Sequence, residues 1–251
     1  MRDEAGGAPW SPSAIRTRGL AYEQVAGQIR TAIVAHALRV GERLPAESEL
    51  ARQLNVSRGT VREALRLLAS QHFITTSRGV QGGSVVCLPS AIHIEGYLGT
   101  SYGLLAGSDT NMVDWMIEAR ELLEVPAAGL AAARRSDADL LAIEADLAHP
   151  RDDHHEVLRA NQDFHVLLAR ATGNAMLELM LRPLLSVLNA RLDDAPPPPE
   201  IYEQIDAEHR QIADAVADRD EHAARRAMEA HLSQLRSVYA VVIVPPERTS
   251  S

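Results

Sequence analysis

Residues Leu44–Leu68 read LPAESELARQLNVSRGTVREALRLL, and the reading of this stretch decides the fold of the N-terminal half. It splits into two short amphipathic segments joined by a tight turn. Pro45 carries a fixed φ suited to a helix start, and Glu47 and Glu49 put negative charge in the first turn. Leu50, Ala51 and Leu54 form an apolar face, and Asn55 can adopt the left-handed conformation that ends a helix. Ser57 then offers an acceptor to the first backbone N–H groups of a second helix. There Val61, Leu65 and Leu68 recur at i, i+4, i+7 toward a core. Arg58, Arg62 and Arg66 recur at i, i+4, i+8 on a different, solvent-facing stripe. Two such helices predict a helix-turn-helix whose second member meets DNA.

The chemistry of that stripe supports the reading. A guanidinium forks onto the O6 and N7 of guanine or onto a phosphate. The helix N-terminus adds unpaired N–H groups that favour a phosphate, and Gly59 has no side chain to hold the duplex away. Taken alone, the same stripe also fits an ordinary solvated face.

Outward from this stretch, Tyr22–Leu38 predicts a helix with Val25, Ile29 and Ile33 on one face, and Gly41 falls in a loop. Phe73–Thr75 and Ser84–Cys87 read as strands around the turn SRGVQGG. A hairpin in that position is the wing of a winged helix, with Arg78 near its tip within reach of a minor groove or a phosphate. The predicted DNA-binding domain covers 19–88. Residues 1–18, rich in Gly, Pro, Ala and Ser without periodicity, are expected to form a disordered tail.

The formal net charge of −9 divides unevenly. From Ile15 to Leu88 there are ten Arg and five Glu; from Pro89 to Ser251 there are 14 Arg and 27 acidic residues. A basic module for nucleic acid joined to an acidic module with another task explains the split. Every basic side chain is arginine. Aromatic content of 4% argues against an aromatic platform for single strands or RNA. No apolar run is long enough to span a membrane, no signal peptide is evident, and the single Cys87 suits a reducing compartment. The expectation is a cytoplasmic protein with no membrane partner.

Beyond Pro89 the pattern becomes helical. AIHIEGYLGTSYGLLAG, within a linker at 89–110, predicts a connecting helix with glycine interruptions. Helices follow near Met112–Arg134, Asp137–Ala148, Asp152–Thr172, Ala175–Arg191, Glu200–Asp218 and Glu221–Val242, with Pro183 expected to kink its helix or mark its first turn. The fold class is therefore mainly α: a winged helix-turn-helix, then an all-α antiparallel bundle over 111–243, with 244–251 as a disordered tail.

Three histidines fall where a bundle interior can gather them. Asn161 and His165 are four apart on one helix, His209 follows Glu208 on another, and His231 lies on the last. Imidazoles on facing helices suit Zn, Ni, Fe or Cu. His36, His72, His93, His149, His154, His155 and His222 read as surface or satisfied histidines instead.

GERLPAESELARQLNVSRGTVREALRLL, followed by GGSVV, closely resembles the winged helix of GntR-family transcription regulators. ARELLEVPAAGLAA, NQDFHVLLARATGN, EHRQIADAVADRD and MEAHL resemble the effector-binding (FCD) domain of the FadR-type subfamily. The resemblance covers nearly everything from Tyr22 to Val242. It implies a homodimeric regulator, usually a repressor, with DNA contacts at Ser57, Arg58, Gly59, Thr60, Arg62, Arg78 and Gly79. It also implies a pocket metal held by Asn161, His165, His209 and His231. The chain departs from the pattern at Asn161, where aspartate is commonest, at Ser48, where some relatives carry a contacting arginine, and at His72, where glycine is usual.

These readings combine into a dimeric repressor on a palindromic operator, released by a small organic acid bound at a divalent metal, Zn foremost and Ni or another transition metal next. Arg120 is the residue expected to pair with the acid, or else to form a surface ion pair with Glu124 one turn along. Two other readings are an enzyme using the same metal with Glu208, and a winged helix serving a protein interface.

Overall fold

In this computed structural model, residues 10, 12–14, 20–77, 82–108, 111–150, 153–194 and 196–242 are described, with side chains to 239. Asn55 takes φ 55° and ψ 49°, ending helix α2 (Glu47–Leu54). Ser57 Oγ accepts from the Thr60 N–H at 3.1 Å and starts α3 (Arg58–Ser70). The two apolar faces close on α1 (Ala21–Val34), burying Val25, Ile29, Leu50, Leu54, Val61 and Leu68 in one core. α1 stops four residues before the predicted Leu38. His36 turns to φ 57° and the N–H groups of Ala37 and Leu38 both fold back onto Ala32 O, so Leu38 still reaches the core.

Strands β1 (Ile74–Ser77) and β2 (Gly83–Val86) pair antiparallel, from Ile74 opposite Val86 to Ser77 opposite Gly83. Ile74 and Val86 face the core. Part of the segment read as a loop also pairs with β2. Gly41 N–H donates to Val86 O, Val86 N–H to Glu42 O, and Leu44 N–H to Ser84 O. Disorder was expected throughout 1–18, yet Trp10 packs half-buried on this core and Ser13 exchanges two hydrogen bonds with Gln28, at 2.9 and 3.0 Å. An indole on an apolar core outweighs the loose composition around it. Residues 244–251 lie outside the described residues.

The chain divides into two compact units, Met1–His93 and Ile94–Ser251, with α4 (Ala91–Ser108) running across the division. α4 is continuous through Gly96, Gly99 and Gly103, where interruptions were expected. Glycine weakens a helix by entropy, about 1 kcal/mol each, and does not obstruct it.

The second unit is helical: α5 (Met112–Arg134), α6 (Asp137–Ala148), α7 (His154–Ala171), α8 (Ala175–Asp194), α9 (Pro199–Ala217) and α10 (Glu221–Val242). Ser136 and Asp139 form a capping box that starts α6. Pro183 sits in the interior of α8, not its first turn, and Pro126 lies inside α5. α5 packs against α7, α8, α9 and α10, so its inner face occupies the middle of the bundle. Phe164, Leu188, Ile212, Met228 and Leu235 form the apolar surround. Among the described residues, the polar side chains enclosed there include Arg120, Glu124, Asn161, His165, His209 and His231, each at most 5% exposed.

Candidate DNA interface and buried histidine site

The N-terminal site follows from the start of α3. Ser57, Arg58 and Gly59 are exposed at the helix N-terminus and Thr60 is half-buried, its Oγ1 2.9 Å from Ser57 Oγ. A Cβ on Gly59 would meet only Ser57 Oγ at 3.6 Å, so nothing inside this unit requires a glycine there. Arg62 is exposed, with Nη2 2.9 Å from Glu47 Oε2, and Arg66 pairs with Glu63 at 2.7 Å. A groove of about 680 Å³ runs between α3 and the wing, lined by Arg43, Glu47, Arg62, Arg66, Thr76 and Ser84. Arg43 Nη1 donates to Gly82 O at 2.7 Å and braces the wing where the turn enters β2, a role absent from the sequence reading. Arg78 and Gly79 lie outside the described residues.

The bundle site gathers four of the residues singled out in the sequence. One ligand nitrogen from each of His165, His209 and His231 lies within 4.8 Å of the others, and all three rings are buried. Asn161, one turn before His165 on α7, turns a buried Oδ1 that has no hydrogen-bond partner among the described residues. The Phe164 ring stacks on His209 at 3.9 Å between centroids and fixes its plane.

Charged neighbours set the imidazole tautomers. Glu124 Oε2 lies 2.5 Å from His165 Nδ1, and Glu208 Oε2 lies 2.8 Å from His231 Nδ1. Glu208 holds a proton on His231 Nδ1, and Arg120, which can only donate, makes His165 Nε2 an acceptor, so both Nε2 atoms present lone pairs inward. The two Nε2 atoms are 3.3 Å apart. Two lone pairs at that distance repel unless a cation lies between them. Tetrahedral bonds of about 2.0–2.1 Å separate neighbouring nitrogens by roughly 3.3–3.4 Å. Burial, with Arg120 and His231 adding to it, holds the His165 imidazole down to about 4, and burial likewise lowers His231. Both rings are thus neutral ligands near pH 7. The donor set fits a transition metal.

Arg120 is on this site and not on the surface: its ion pair with Glu124 is 2.6 Å long, with the side chains 1% and 2% exposed. Its Nη1 lies 3.4 Å from the Tyr239 hydroxyl and its Nη2 3.1 Å from His165 Nε2. Burial pushes the Glu124 carboxyl up, but Arg120 and His165 outweigh it and hold Glu124 well below the usual carboxylate range. Tyr239 and the imidazole-orienting roles of Glu124 and Glu208 went unread in the sequence, although Glu124 stands one turn from Arg120 and Glu208 adjoins His209.

A winged helix in one unit and an enclosed imidazole cluster in the other have the build of a ligand-responsive DNA-binding protein. Residues 21–85 match the model for bacterial regulatory proteins of the gntR family, and 115–234 match the FCD domain. The "Putative L-lactate dehydrogenase operon regulatory protein" of Escherichia coli (strain K12) is 31% identical over 219 residues, 84% of this chain and 83% of that one. The "Uncharacterized HTH-type transcriptional regulator YcbG" of Bacillus subtilis (strain 168) is 30% identical, covering 85% and 88%. Among solved structures, Streptococcus agalactiae GntR aligns with TM-score 0.60 and 28% identity, over 86% of this chain and 99% of that one. The chain belongs to the gntR family of bacterial regulatory proteins, with an FCD domain as its second unit. It is a transcriptional regulator and not an enzyme. No described helix is long and apolar enough to cross a membrane.

Proposed function

We propose that the protein is a homodimeric repressor of a palindromic operator, released when a small organic acid binds at a metal in the helical unit. The facing Nε2 lone pairs of His165 and His231, 3.3 Å apart, carry this reading. Asn161, His165, His209 and His231 would hold the ion, Zn foremost, which supplies a Lewis-acid seat for a carboxylate oxygen. Arg120 adds a charged donor in the same enclosed space. The name of the Escherichia coli relative, taken from an L-lactate dehydrogenase operon, agrees with an organic acid as effector. On DNA, Ser57, Gly59, Thr60 and the N-terminus of α3 would seat phosphates, and Arg58 and Arg62 would face bases, with Arg78 and Gly79 on the wing. Two copies of one reading head require an operator with matching two-fold symmetry.

Enrichment of random duplexes on the full-length protein tests this reading. The expected result is a palindromic site whose affinity falls when L-lactate or a related acid is added to the Zn-loaded protein. Enrichment of an asymmetric site, or acid-independent binding across a panel of such acids, would contradict it.

A further inference from the structure

Arg120 Nη2 stands 3.1 Å from His165 Nε2, and because a guanidinium can only donate, that nitrogen is the acceptor. The guanidinium therefore donates into the same lone pair that a cation would take. Its remaining bonds, Nε and Nη2 to Glu124 at 2.6 and 3.5 Å and Nη1 to Tyr239 at 3.4 Å, hold it in position independently of His165. Charge points the same way. Glu124 already matches Arg120 and Glu208 stands on His231, so the site offers a buried anion no unmatched guanidinium.

We propose that Arg120 makes acid binding conditional on cation loading: it gives up His165 Nε2 when a cation takes that lone pair, and its freed Nη2–H serves the carboxylate of the effector. The inference rests on the metal-and-acid reading above and adds an order to it. Loading adds two positive charges and frees one directed donor, a match for a small mono- or dicarboxylate and not for a neutral ligand. By linkage, the acid in turn tightens retention of the cation. Arg120 is thus a competitor of the cation as well as a receptor for the acid, and its removal has opposite effects on the two.

Calorimetric titration of Zn2+ into the EDTA-stripped, dialysed full-length protein tests this, comparing the unaltered chain with Arg120→Gln and Arg120→Lys. Lysine keeps the charge beside Glu124 but lacks the fork that reaches Glu124 and His165 together. Both variants are expected to bind Zn2+ about tenfold more tightly, the order of removing one competing charged hydrogen bond. A second arm adds L-lactate and succinate. Affinity for either acid is expected to rise at least about tenfold on Zn loading in the unaltered protein, within the usual range of coupling between sites, and to be lost in Arg120→Gln. Zn2+ affinity unchanged or weaker in both folded variants would overturn the proposal, as would an acid that binds stripped and loaded protein equally. Should the unaltered protein bind no Zn2+ at all, the metal reading itself fails, a result distinct from failure of the Arg120 exchange.

Discussion

Two arginine–glutamate pairs of similar geometry hold opposite positions in this molecule. Arg62 meets Glu47 at 2.9 Å with the side chains 56% and 39% exposed, whereas Arg120 meets Glu124 at 2.6 Å with both almost wholly enclosed. Water screens the first pair, so it holds the arginine ready in the groove and costs little to open. Arg62 can exchange Glu47 for a guanine edge or a phosphate. The second pair cannot open cheaply, because either partner alone would be an uncompensated buried charge. The same two residue types therefore make a reading head at the surface and a fixed receptor in the core.

The largest test of that contrast is Glu124→Gln. Leaving Arg120 buried without its carboxylate is expected to destabilise the helical unit by about 3–5 kcal/mol, read as a shift in urea midpoint. A change near zero would mean that the pair is not as dry as its burial indicates. At the exposed pair the sign of importance reverses. Arg62→Ala should weaken operator binding by roughly ten- to a hundredfold if it reads a base, with the urea midpoint unmoved. Equal affinity in a gel-shift titration would remove Arg62 from the interface.

Smaller effects sharpen the same comparison. Ser57→Ala deletes the acceptor for the Thr60 N–H and should cost about 1 kcal/mol of N-terminal stability, readable by hydrogen exchange in α3. Glu178 is an intermediate case: half-buried, it bonds Arg170 and Arg182, each at 2.9 Å. The Arg170 hydrogen bond, ahead of the opposing burial, lowers its carboxyl below the ordinary 4.5. The unfolded chain then binds the extra proton first, so this stabilisation is complete above about pH 4.5 and lost as pH falls through the folded value. Glu178→Gln should flatten the acid limb of stability against pH, a change visible in urea melts between pH 3 and 5; an unchanged limb would show the pair to be idle.

What the sequence made legible was mainly local. Asn55, Ser57 and the Val61–Leu65–Leu68 face lie where the spacing puts them, and α5, α6 and α10 run over the residues expected. Caps and 3.6-residue periodicity are properties of neighbours in the chain, and one sequence displays them. The wing pairing of residues 41–44, the packing of Trp10 and the continuity of α4 depend on distant partners or on the small cost of solvated glycine, which periodicity does not register. The histidines were found by type and helix face, with the family resemblance fixing the set. Their orientation was not, because Glu124 and Glu208 reach His165 and His231 across 41 and 23 positions of chain. Likewise Arg120 was read with a surface ion pair as the alternative; the pair exists, but α5 runs through the middle of the bundle and buries it.

The most direct test of a metal-dependent acid sensor is native mass spectrometry of the freshly purified full-length protein, before and after EDTA. A dimer carrying one metal per chain and the mass of a small organic acid, with both lost together on chelation, is the result expected. A dimer that holds its acid with no metal bound, or keeps the acid after the metal has gone, would contradict the account.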